Sequence, residues 1–236
     1  MNCYSLTSVT IPNSVTTIGH EAFNSCGLLS ITIPNGVTHI GNGAFASCYN
    51  LATIEIPKSV ISIGNGAFSG CESLATINIP YGTTNIDEWA FSGCGLSNVT
   101  IPNSVTSIGN GAFADCTNLT TIELPKGVTN IGKFAFYNCT SLVSIAIPSG
   151  ITNIGDCAFQ FCRNLTTIEI PNSVTSIGIQ AFYFCGNLTT ITIPGSVTFI
   201  GSEAFYTYYA DITVICSRDS YAHQYCLANY VKYQLA

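Results

Sequence analysis

The chain has little charge and few basic residues. Only 8% of its 236 residues are charged, the six Lys and Arg are scattered, and the formal net charge is −6. A protein that binds nucleic acid needs a basic stripe, and none exists here. No apolar run approaches the roughly 20 residues of a membrane span, and no secretory signal is recognisable. The sequence therefore predicts neither a nucleic-acid partner nor membrane insertion of this segment.

Proline is scarce and evenly spaced, which reveals an internal repeat. All nine prolines recur at intervals of 22 or 23 residues, and around them the chain repeats Leu-x-x-Ile-x-Ile-Pro-x-x-Val-x-x-Ile-Gly-x-x-Ala-Phe-x-x-Cys-x-x nine times. The prolines are Pro12, Pro34, Pro57, Pro80, Pro102, Pro125, Pro148, Pro171 and Pro194. Because no linker interrupts the pattern, we expect one elongated array over residues 1–209 and a C-terminal cap over 210–236. The chain starts within a repeat, so we expect it to be a fragment of a longer array.

Each repeat predicts one turn of a stacked coil. Ile-x-Ile has strand periodicity, proline ends the strand, and Val-x-x-Ile predicts a second short strand or corner. A glycine follows in every repeat except one, where Asp87 stands. Because Asp and Gly both tolerate a left-handed backbone, we interpret this glycine column as left-handed. Its members are Gly19, Gly41, Gly64, Gly109, Gly132, Gly155, Gly178 and Gly201.

The segment Ala-Phe-x-x-Cys changes period, because its three named residues share one face of a single helical turn. No repeat can bury these side chains alone, so neighbouring repeats must stack and align the phenylalanines in a central column. Its members are Phe23, Phe45, Phe68, Phe91, Phe113, Phe136, Phe159, Phe182 and Phe205. The paired glycines Gly109 and Gly111 belong to this repeated turn, which carries no Lys-Ser/Thr and precedes no long helix, and so do not indicate a phosphate loop.

The repeat resembles the BspA-like class of leucine-rich repeats, as in "LTTIELPKGVTNIGKFAFYNC" (119–139). The resemblance implies a right-handed leucine-rich repeat solenoid of short parallel strands and single helical turns, with about nine rungs of 22–23 residues. It further implies a cell-surface or secreted protein, no catalytic motif and no cofactor; some members of the family bind host matrix proteins or other cells. Residues 211–216, "DITVIC", predict a last strand, and residues 220–236 predict a short amphipathic helix and an extended end, similar to the caps of such arrays.

Nine of the twelve cysteines fall in one inward column, namely Cys3, Cys26, Cys48, Cys71, Cys94, Cys116, Cys139, Cys162 and Cys185. Neighbouring rungs bring them within disulfide distance, but stacked side chains point in parallel, so we expect buried free thiols. Zinc is disfavoured because one ligand per rung along a line makes no tetrahedron. Cys157 lies off the column, and Cys216 and Cys226 leave open a disulfide within the cap.

No catalytic group is predicted. His20, His39 and His223 lie in different columns with no nucleophile or carboxylate at a repeated offset, so surface histidine is the better interpretation. Five Asn-x-Ser/Thr sequons are present, at Asn98, Asn118, Asn138, Asn164 and Asn187.

Two surfaces are candidates for binding. The outward strand positions form a polar, mildly acidic face, which we call the strand-face column; its candidate residues are Glu55, Asn78, Thr100, Glu123, Glu169 and Thr192. The two positions after each column phenylalanine are small or polar in the first five rungs and then become aromatic, at Tyr137, Phe161, Tyr183, Phe184 and Tyr206. Exposed contiguous aromatics usually mark a contact surface. The alternatives remain a merely solvated strand face and aromatic rings that only cover one another or the cap.

These features predict a non-enzymatic recognition module, part of a cell-surface adhesin that binds an extracellular protein or glycan. The alternative is a structural spacer without a ligand of its own. Ice binding through threonine ladders is a third hypothesis, although Ala, Val and Asn interrupt that column. We also expect the uncapped first rung to allow self-association, because an open edge invites pairing.

Overall fold

The structure, a computed structural model, describes residues 3–208 and 212–236. The array is a parallel β-solenoid of about nine rungs, as predicted. Each rung contains two short strand positions and a turn segment, and it stacks on the rung before it. The rungs begin at Leu6, Leu28, Leu51, Leu74, Leu96, Leu119, Leu142, Leu165 and Leu188. The predicted boundary between residues 209 and 210 lies outside the described residues.

The first strand of each rung carries the Ile-x-Ile segment. Its isoleucines are buried and its alternate residues exposed, because successive strand side chains point to opposite faces. Neighbouring rungs pair in parallel with like residues aligned, as Ile145 with Ile168. Single parallel bridges join Asn78 to Thr100 and Thr100 to Glu123. Numbered along the chain, these strands are β2 (Ser30–Thr32), β4 (Thr53–Glu55), β8 (Thr121–Ile122), β10 (Ser144–Ala146), β12 (Thr167–Glu169) and β14 (Thr190–Thr192).

A second strand of two residues follows the valine position and ends before the glycine column. Its isoleucine points into the core in every rung. These strands are β1 (Thr17–Ile18), β3 (His39–Ile40), β5 (Ser62–Ile63), β6 (Asn85–Ile86), β7 (Ser107–Ile108), β9 (Asn130–Ile131), β11 (Asn153–Ile154), β13 (Ser176–Ile177) and β15 (Phe199–Ile200). They form two parallel sheets, one from β1 to β5 and one from β6 to β15.

Glycine recurs in the glycine column for a different reason from the one predicted. None of its eight glycines has a positive φ. From Gly41 onward, a Cβ at each of these glycines would lie less than 3.0 Å from atoms of the preceding rung. The interpretation as a left-handed column was wrong: glycine is required because the rungs approach each other too closely for a side chain.

The fourth rung has no glycine in this column, and the sheet of second strands is interrupted before it. Asp87, directly after β6, carries a Cβ where the other rungs have glycine, and β6 belongs to a different sheet from β5 of the preceding rung. In the same rung Thr83 replaces the buried valine and is 1% exposed. Its hydroxyl has no hydrogen-bond partner in the described chain. We conclude that the extra Cβ holds the fourth rung away from the third on the strand side.

The segment predicted as a helical turn consists instead of successive tight turns. In the sixth rung, for example, Ala135, Tyr137 and Cys139 donate their amide N–H groups to the carbonyl three residues earlier, at 3.0–3.3 Å. The amides between them, those of Phe134, Phe136 and Asn138, donate to the next rung at 2.7–2.9 Å. The backbone therefore alternates between closing its own turn and joining the next rung, which leaves no regular helix in this segment.

The phenylalanine column forms as predicted. Consecutive rings from Phe23 to Phe205 lie 5.3–5.9 Å apart between centroids, with interplanar angles of 3–17°. The rings from Phe45 to Phe182 are fully buried. Stacking nearly parallel rings along the axis gives the core a continuous apolar centre.

The cysteines beside this column act as hydrogen-bond donors. From Cys48 to Cys185, each Sγ–H donates to the carbonyl oxygen of the column phenylalanine in the rung before, at 3.0–3.2 Å. All twelve cysteines are free, so the cap disulfide left open above does not form between Cys216 and Cys226. Cys3 was expected in the inward column but is exposed, because no described rung packs on that side.

The cap continues the strand stack and then covers the core. Strand β16 (Thr213–Cys216) pairs with β14, and β17 (Tyr233–Leu235) pairs with β16. Helix α1 (Tyr221–Asn229) begins after the cap residue Ser220 and packs against β15 and β16. Tyr225 from this helix accepts a hydrogen bond from the Ala204 amide at 3.2 Å and ends the phenylalanine column. The first residue of the predicted strand, Asp211, lies outside the described residues.

Helix α1 is less cleanly amphipathic than predicted. It buries Ala222, Tyr225 and Cys226, yet Leu227 is exposed. It also buries His223, which was expected at the surface; the His223 ring accepts a hydrogen bond from the Asp219 amide at 3.1 Å and contacts Tyr233 edge-on. The helix therefore covers the last rung without a clear separation of polar and apolar faces. Its shape and its local hydrogen bonds contribute more to this packing.

Candidate functional site

The turn segments place two positions per rung in the left-handed region of backbone conformation. The first precedes the Ala-Phe pair and the second precedes the cysteine. The first left-handed column comprises Glu21, Gly43, Gly66, Trp89, Gly111, Phe134, Cys157, Gln180 and Glu203. The second comprises Ser25, Ser47, Gly70, Gly93, Asp115, Asn138, Phe161 and Phe184. These positions point side chains away from the core, so they determine what the turn surface presents.

Four of these positions hold bulky aromatic residues: Trp89, Phe134, Phe161 and Phe184, with φ of 57–62°. A left-handed conformation costs an ordinary L-residue about 1–2 kcal/mol, and glycine avoids that cost. Other rungs of the same array have small or polar residues there, namely glycine, serine, cysteine, aspartate, asparagine, glutamate or glutamine. The aromatic side chains are thus placed at a backbone cost that the fold does not require.

The rings at these positions join with others into one continuous band, which we call the aromatic flank. Neighbouring ring centroids along it are 4.6–6.3 Å apart. Several pairs meet edge-to-face, the geometry that aromatic quadrupoles favour. Its members are Trp89, Phe134, Tyr137, Phe161, Tyr183, Phe184, Tyr206 and Tyr208.

The flank begins at Trp89, which reaches across a rung. A Cβ at Gly111, in the next rung, would collide with the Trp89 indole. Since Gly111 has no side chain, the indole lies over it and meets Phe134 of the rung beyond, at 6.3 Å between centroids. Of the two paired glycines, Gly111 therefore makes room for the tryptophan, and Gly109 belongs to the glycine column.

All five aromatic residues predicted from the sequence belong to the flank. Tyr137, Phe161, Tyr183 and Phe184 are half-buried by one another, and Tyr206 is 43% exposed. The prediction missed Trp89, Phe134 and Tyr208 because it considered only the two positions after the column phenylalanine. A signal was present, since the single tryptophan of the chain stands at a position that is glycine in the rungs on either side.

A cleft of about 470 Å³ opens beside the C-terminal half of the flank. It is lined by Arg163, Asn164, Phe184, Gly186, Asn187, Thr207 and Tyr208. The Phe184 and Tyr208 rings lie 5.5 Å apart between centroids. The Asn187 amide group donates to Asn164 Oδ1 at 3.3 Å. The cleft thus combines aromatic rings, two amide side chains and one guanidinium group.

The strand-face column is exposed along its whole length, with Glu55, Asn78, Thr100, Glu123, Glu169 and Thr192 all on the surface. No side-chain hydrogen bond or ion pair joins these six within the described ranges. A hollow of about 470 Å³ lies beside Glu123, against the Pro125–Gly127 corner, and it holds no aromatic ring. The binding role of this column stays a prediction.

Burial keeps the thiols protonated. It raises the pKa of the Cys116 and Cys185 thiols to about 12, and it raises the pKa of Cys139 and Cys162 well above its usual value. Burial likewise raises the Tyr206 pKa, helped by the neighbouring Tyr208. The opposite shift occurs at Asp156, where Lys133 at 2.9 Å lowers the carboxyl pKa.

Within residues 3–208 and 212–236, no group of three His, Cys, Asp or Glu side chains is arranged to hold a metal ion. The described helix is also too short and too polar to cross a membrane.

The sequence of the array matches a known family model over most of its length. The model of the BspA type leucine rich repeat region, in six copies, matches residues 1–120 and 85–212. The chain belongs to the BspA-type leucine-rich repeat family. The resemblance predicted from residues 119–139 is thereby confirmed.

Solved structures of several bacterial leucine-rich repeat proteins are similar to this chain. One from Bacteroides ovatus is 28% identical over 99% of this chain and 73% of its own, with a TM-score of 0.64. One from T. pallidum is 31% identical over 73% of this chain and 82% of its own, with a TM-score of 0.65. One from Eubacterium ventriosum is 26% identical over 84% of this chain and 65% of its own, with a TM-score of 0.64. No curated protein matches the chain.

Proposed function

We propose that this chain is a non-enzymatic recognition module, part of a cell-surface or secreted adhesin, which binds an extracellular protein or glycan through the aromatic flank. The membership in a family of repeat proteins supports recognition in place of catalysis. The three histidines lie apart, each with its own local partner, which also favours binding over chemistry.

One observation carries the proposal: four bulky aromatic residues occupy left-handed positions where other rungs have small or polar residues. A spacer does not require this arrangement, because smaller or polar residues occupy the same backbone positions in other rungs. A binding surface gains large, rigid rings, and aromatic residues commonly supply most of the energy of an interface. The strand-face column lacks such departures from the repeat, so we place the principal contact on the flank.

Binding to immobilised extracellular-matrix components tests the proposal. The Tyr183→Ser and Phe184→Ser double variant should bind at least about tenfold more weakly, since aromatic anchors typically contribute more than 1 kcal/mol each. The matched control is the Tyr49→Ser and Tyr81→Ser double variant, which removes two exposed tyrosines outside the flank. An equal loss of affinity in the two double variants would contradict a contact at the flank.

The uniform stack of the remaining columns favours the alternative function, a structural spacer. Rungs joined by backbone hydrogen bonds on both strand and turn sides make a stiff rod. If neither protein nor glycan binds the chain at any concentration tested, the spacer is the better explanation.

We further propose that this chain self-associates through its first rung. Val9, Ile11, Val15 and Phe23 there are only partly buried, and they line a hollow of about 270 Å³. Covering these apolar side chains and open backbone groups with a second copy would remove both from water. The mass in solution should exceed that of the monomer and fall to it with Ile11→Lys; a monomer at all concentrations would refute the idea.

A further inference from the structure

Among the surface features of the chain, the cleft beside the aromatic flank combines a concave shape with groups that recognise a defined chemistry. We propose that it binds a carboxylated sugar, such as the terminal acidic residue of an extracellular glycan. The inference rests on the proposed recognition function and specifies its ligand class. A cavity of about 470 Å³ has the size of a small-ligand pocket, unlike the flat patches that usually meet proteins.

The cleft exists because one residue lacks a side chain. Gly186 follows the cysteine in the eighth rung, where the fifth and sixth rungs have Thr117 and Thr140. A Cβ at Gly186 would meet no atom within 4 Å, so the space is open and not filled by a neighbour. Below it, the Asn187 amide N–H donates to the Arg163 carbonyl at 3.2 Å, which fixes the base of the cleft to the preceding rung.

The lining suits a pyranose ring. Phe184 and Tyr208 offer aromatic surface against which the C–H face of a sugar packs, while its edges carry hydroxyl groups that need polar partners. Asn164 and Asn187 supply these: within the described chain, the hydrogen bond between them leaves Asn187 Oδ1 and the Asn164 amide N–H groups without another partner. Each asparagine can therefore still accept or donate toward a hydroxyl.

Arg163 selects for a carboxylate. Its guanidinium lies 6.0 Å from the Phe161 ring centroid, which holds it at the mouth of the cleft. No carboxylate pairs with it in the described ranges, whereas Lys133 is paired with Asp156. In a chain with net charge −6, an arginine held beside an aromatic cleft is a local exception. Arginine binds carboxylates with two parallel hydrogen bonds, so an acidic sugar satisfies it where a neutral sugar would not.

The test is calorimetric titration of bacterially produced chain, in which the Asn164 and Asn187 sequons carry no glycan, with sialyllactose, a glucuronic-acid disaccharide and neutral lactose. We expect one or both acidic sugars to bind at least about tenfold more tightly than lactose, since a charge-assisted pair contributes more than 1.4 kcal/mol. Comparing the two acidic sugars identifies which source of the carboxylate is preferred.

Two variants and two controls test the residues. Arg163→Gln should abolish the preference for acidic over neutral sugar, and Gly186→Thr should fill the cleft and reduce binding at least tenfold. Arg218→Gln, a charge-matched change in the cap, and Gly195→Asn, which has open space of the same kind, should leave affinity within about twofold. Unchanged thermal midpoints exclude unfolding as the cause.

The outcomes separate this inference from the proposed function. If acidic sugars bind no better than lactose, or Gly186→Thr binds them normally, the sugar site is refuted. Matrix components that bind the flank even after enzymatic removal of their acidic sugars, and bind Gly186→Thr equally well, would refute the sugar site while supporting a protein ligand. If nothing binds the flank at all, the recognition function itself fails.

Discussion

At the scale of single residues, the left-handed positions separate what the fold needs from what the surface presents. Glycine, serine, aspartate or asparagine occupies the second left-handed position in six rungs, whereas the bulkier Phe161 and Phe184 occupy it in two. The Phe161 ring is half-buried against Tyr137 and Tyr183, so its packing offsets part of the backbone cost. We therefore expect Phe161 to be close to neutral for stability, as its proposed role in binding predicts.

Phe161→Gly tests this. The change removes ring packing but relieves about 1 kcal/mol of backbone strain, so we expect the free energy of unfolding to change by less than about 1 kcal/mol. Phe159→Ala, two residues away in the central column, should destabilise by about 3–5 kcal/mol because it leaves a cavity. Denaturant unfolding of both variants measures the difference. A comparable loss in the two variants would show that the flank is structural.

Thr83 gives a second prediction for a single residue. Its buried hydroxyl has no hydrogen-bond partner among residues 3–208 and 212–236, and the valine that most other rungs have there avoids the cost of burying a hydroxyl. Thr83→Val should therefore raise the free energy of unfolding by about 1–2 kcal/mol. Val105→Thr, the reverse change at the equivalent buried position in the next rung, is the matched control and should lower it. An unchanged thermal midpoint in Thr83→Val would mean that the hydroxyl is satisfied in solution.

At the scale of elements, the weakest junction lies between β5 and β6. The turn side stays connected there, because Phe68 donates to Ala90 at 2.9 Å, but the strand side is unpaired. Burial, and then the charge of Glu88, raises the pKa of the Asp87 carboxyl. An acid whose pKa is raised by folding destabilises the fold as pH rises through that pKa, so the junction is weakened further when Asp87 is ionised.

Asp87→Gly should close the junction. We expect amide hydrogen exchange of Ile63 and Thr84 to slow by about tenfold, since a restored backbone hydrogen bond contributes roughly 1 kcal/mol. The protection should be largest at neutral pH, where the wild-type carboxyl is charged. Amides in the junction between β13 and β15, which is already paired, serve as the internal control. Equal exchange in wild type and variant would place the cause of the break elsewhere.

At the scale of the whole molecule, the thiol column couples stability to pH. Folding raises the pKa of Cys116 and Cys185 from 9.0 to about 12, chiefly by burial. Unfolded thiols ionise first, so stability is fully present below pH 9 and is lost as pH rises toward 12. Each such thiol lowers the free energy of unfolding by about 1.4 kcal/mol per pH unit between pH 9 and pH 12. Many rungs lose stability together because they share one column.

The loss of stability at alkaline pH can be measured by unfolding the protein at pH values from 7 to 11. The Cys116→Ser and Cys185→Ser double variant retains hydroxyl donors for the phenylalanine carbonyls, but at these two positions it has no group that ionises in this range. It should be less stable at pH 7 yet lose less stability between pH 9 and pH 11. Parallel curves for the two proteins would contradict the role assigned to these thiols.

The burial of the thiols also predicts how they react with a labelling reagent. Cys3 is exposed and the other eleven cysteines are buried, so one thiol should react at once with an aromatic disulfide reagent at neutral pH. The remainder should react only after denaturation, because thiols protected from solvent and kept protonated are poor nucleophiles. Cys3→Ser should abolish the fast phase. Several fast thiols, or any disulfide in the native protein, would refute this arrangement.

Much of the candidate site could be predicted from the sequence, but the prediction was incomplete. Tyr137 and Tyr183 were found because they break a repeated pattern, and such breaks are visible without coordinates. Trp89 and Phe134 lie at a different position of the repeat, and only the stacking of the rungs shows that the two rings meet over Gly111. The cleft at Gly186 was missed for the same reason, since its walls come from three different rungs.

The sequence by itself determined the repeat and the inward columns of phenylalanine and thiol, because a side chain that recurs at a fixed offset can be buried only if the rungs stack. The tertiary structure alone decided the close approach at Gly41 and its equivalents, the left-handed conformation of Phe161 and Phe184, and the break at Asp87. These depend on distances between successive rungs, and a single repeat contains no information about the gap to its neighbour.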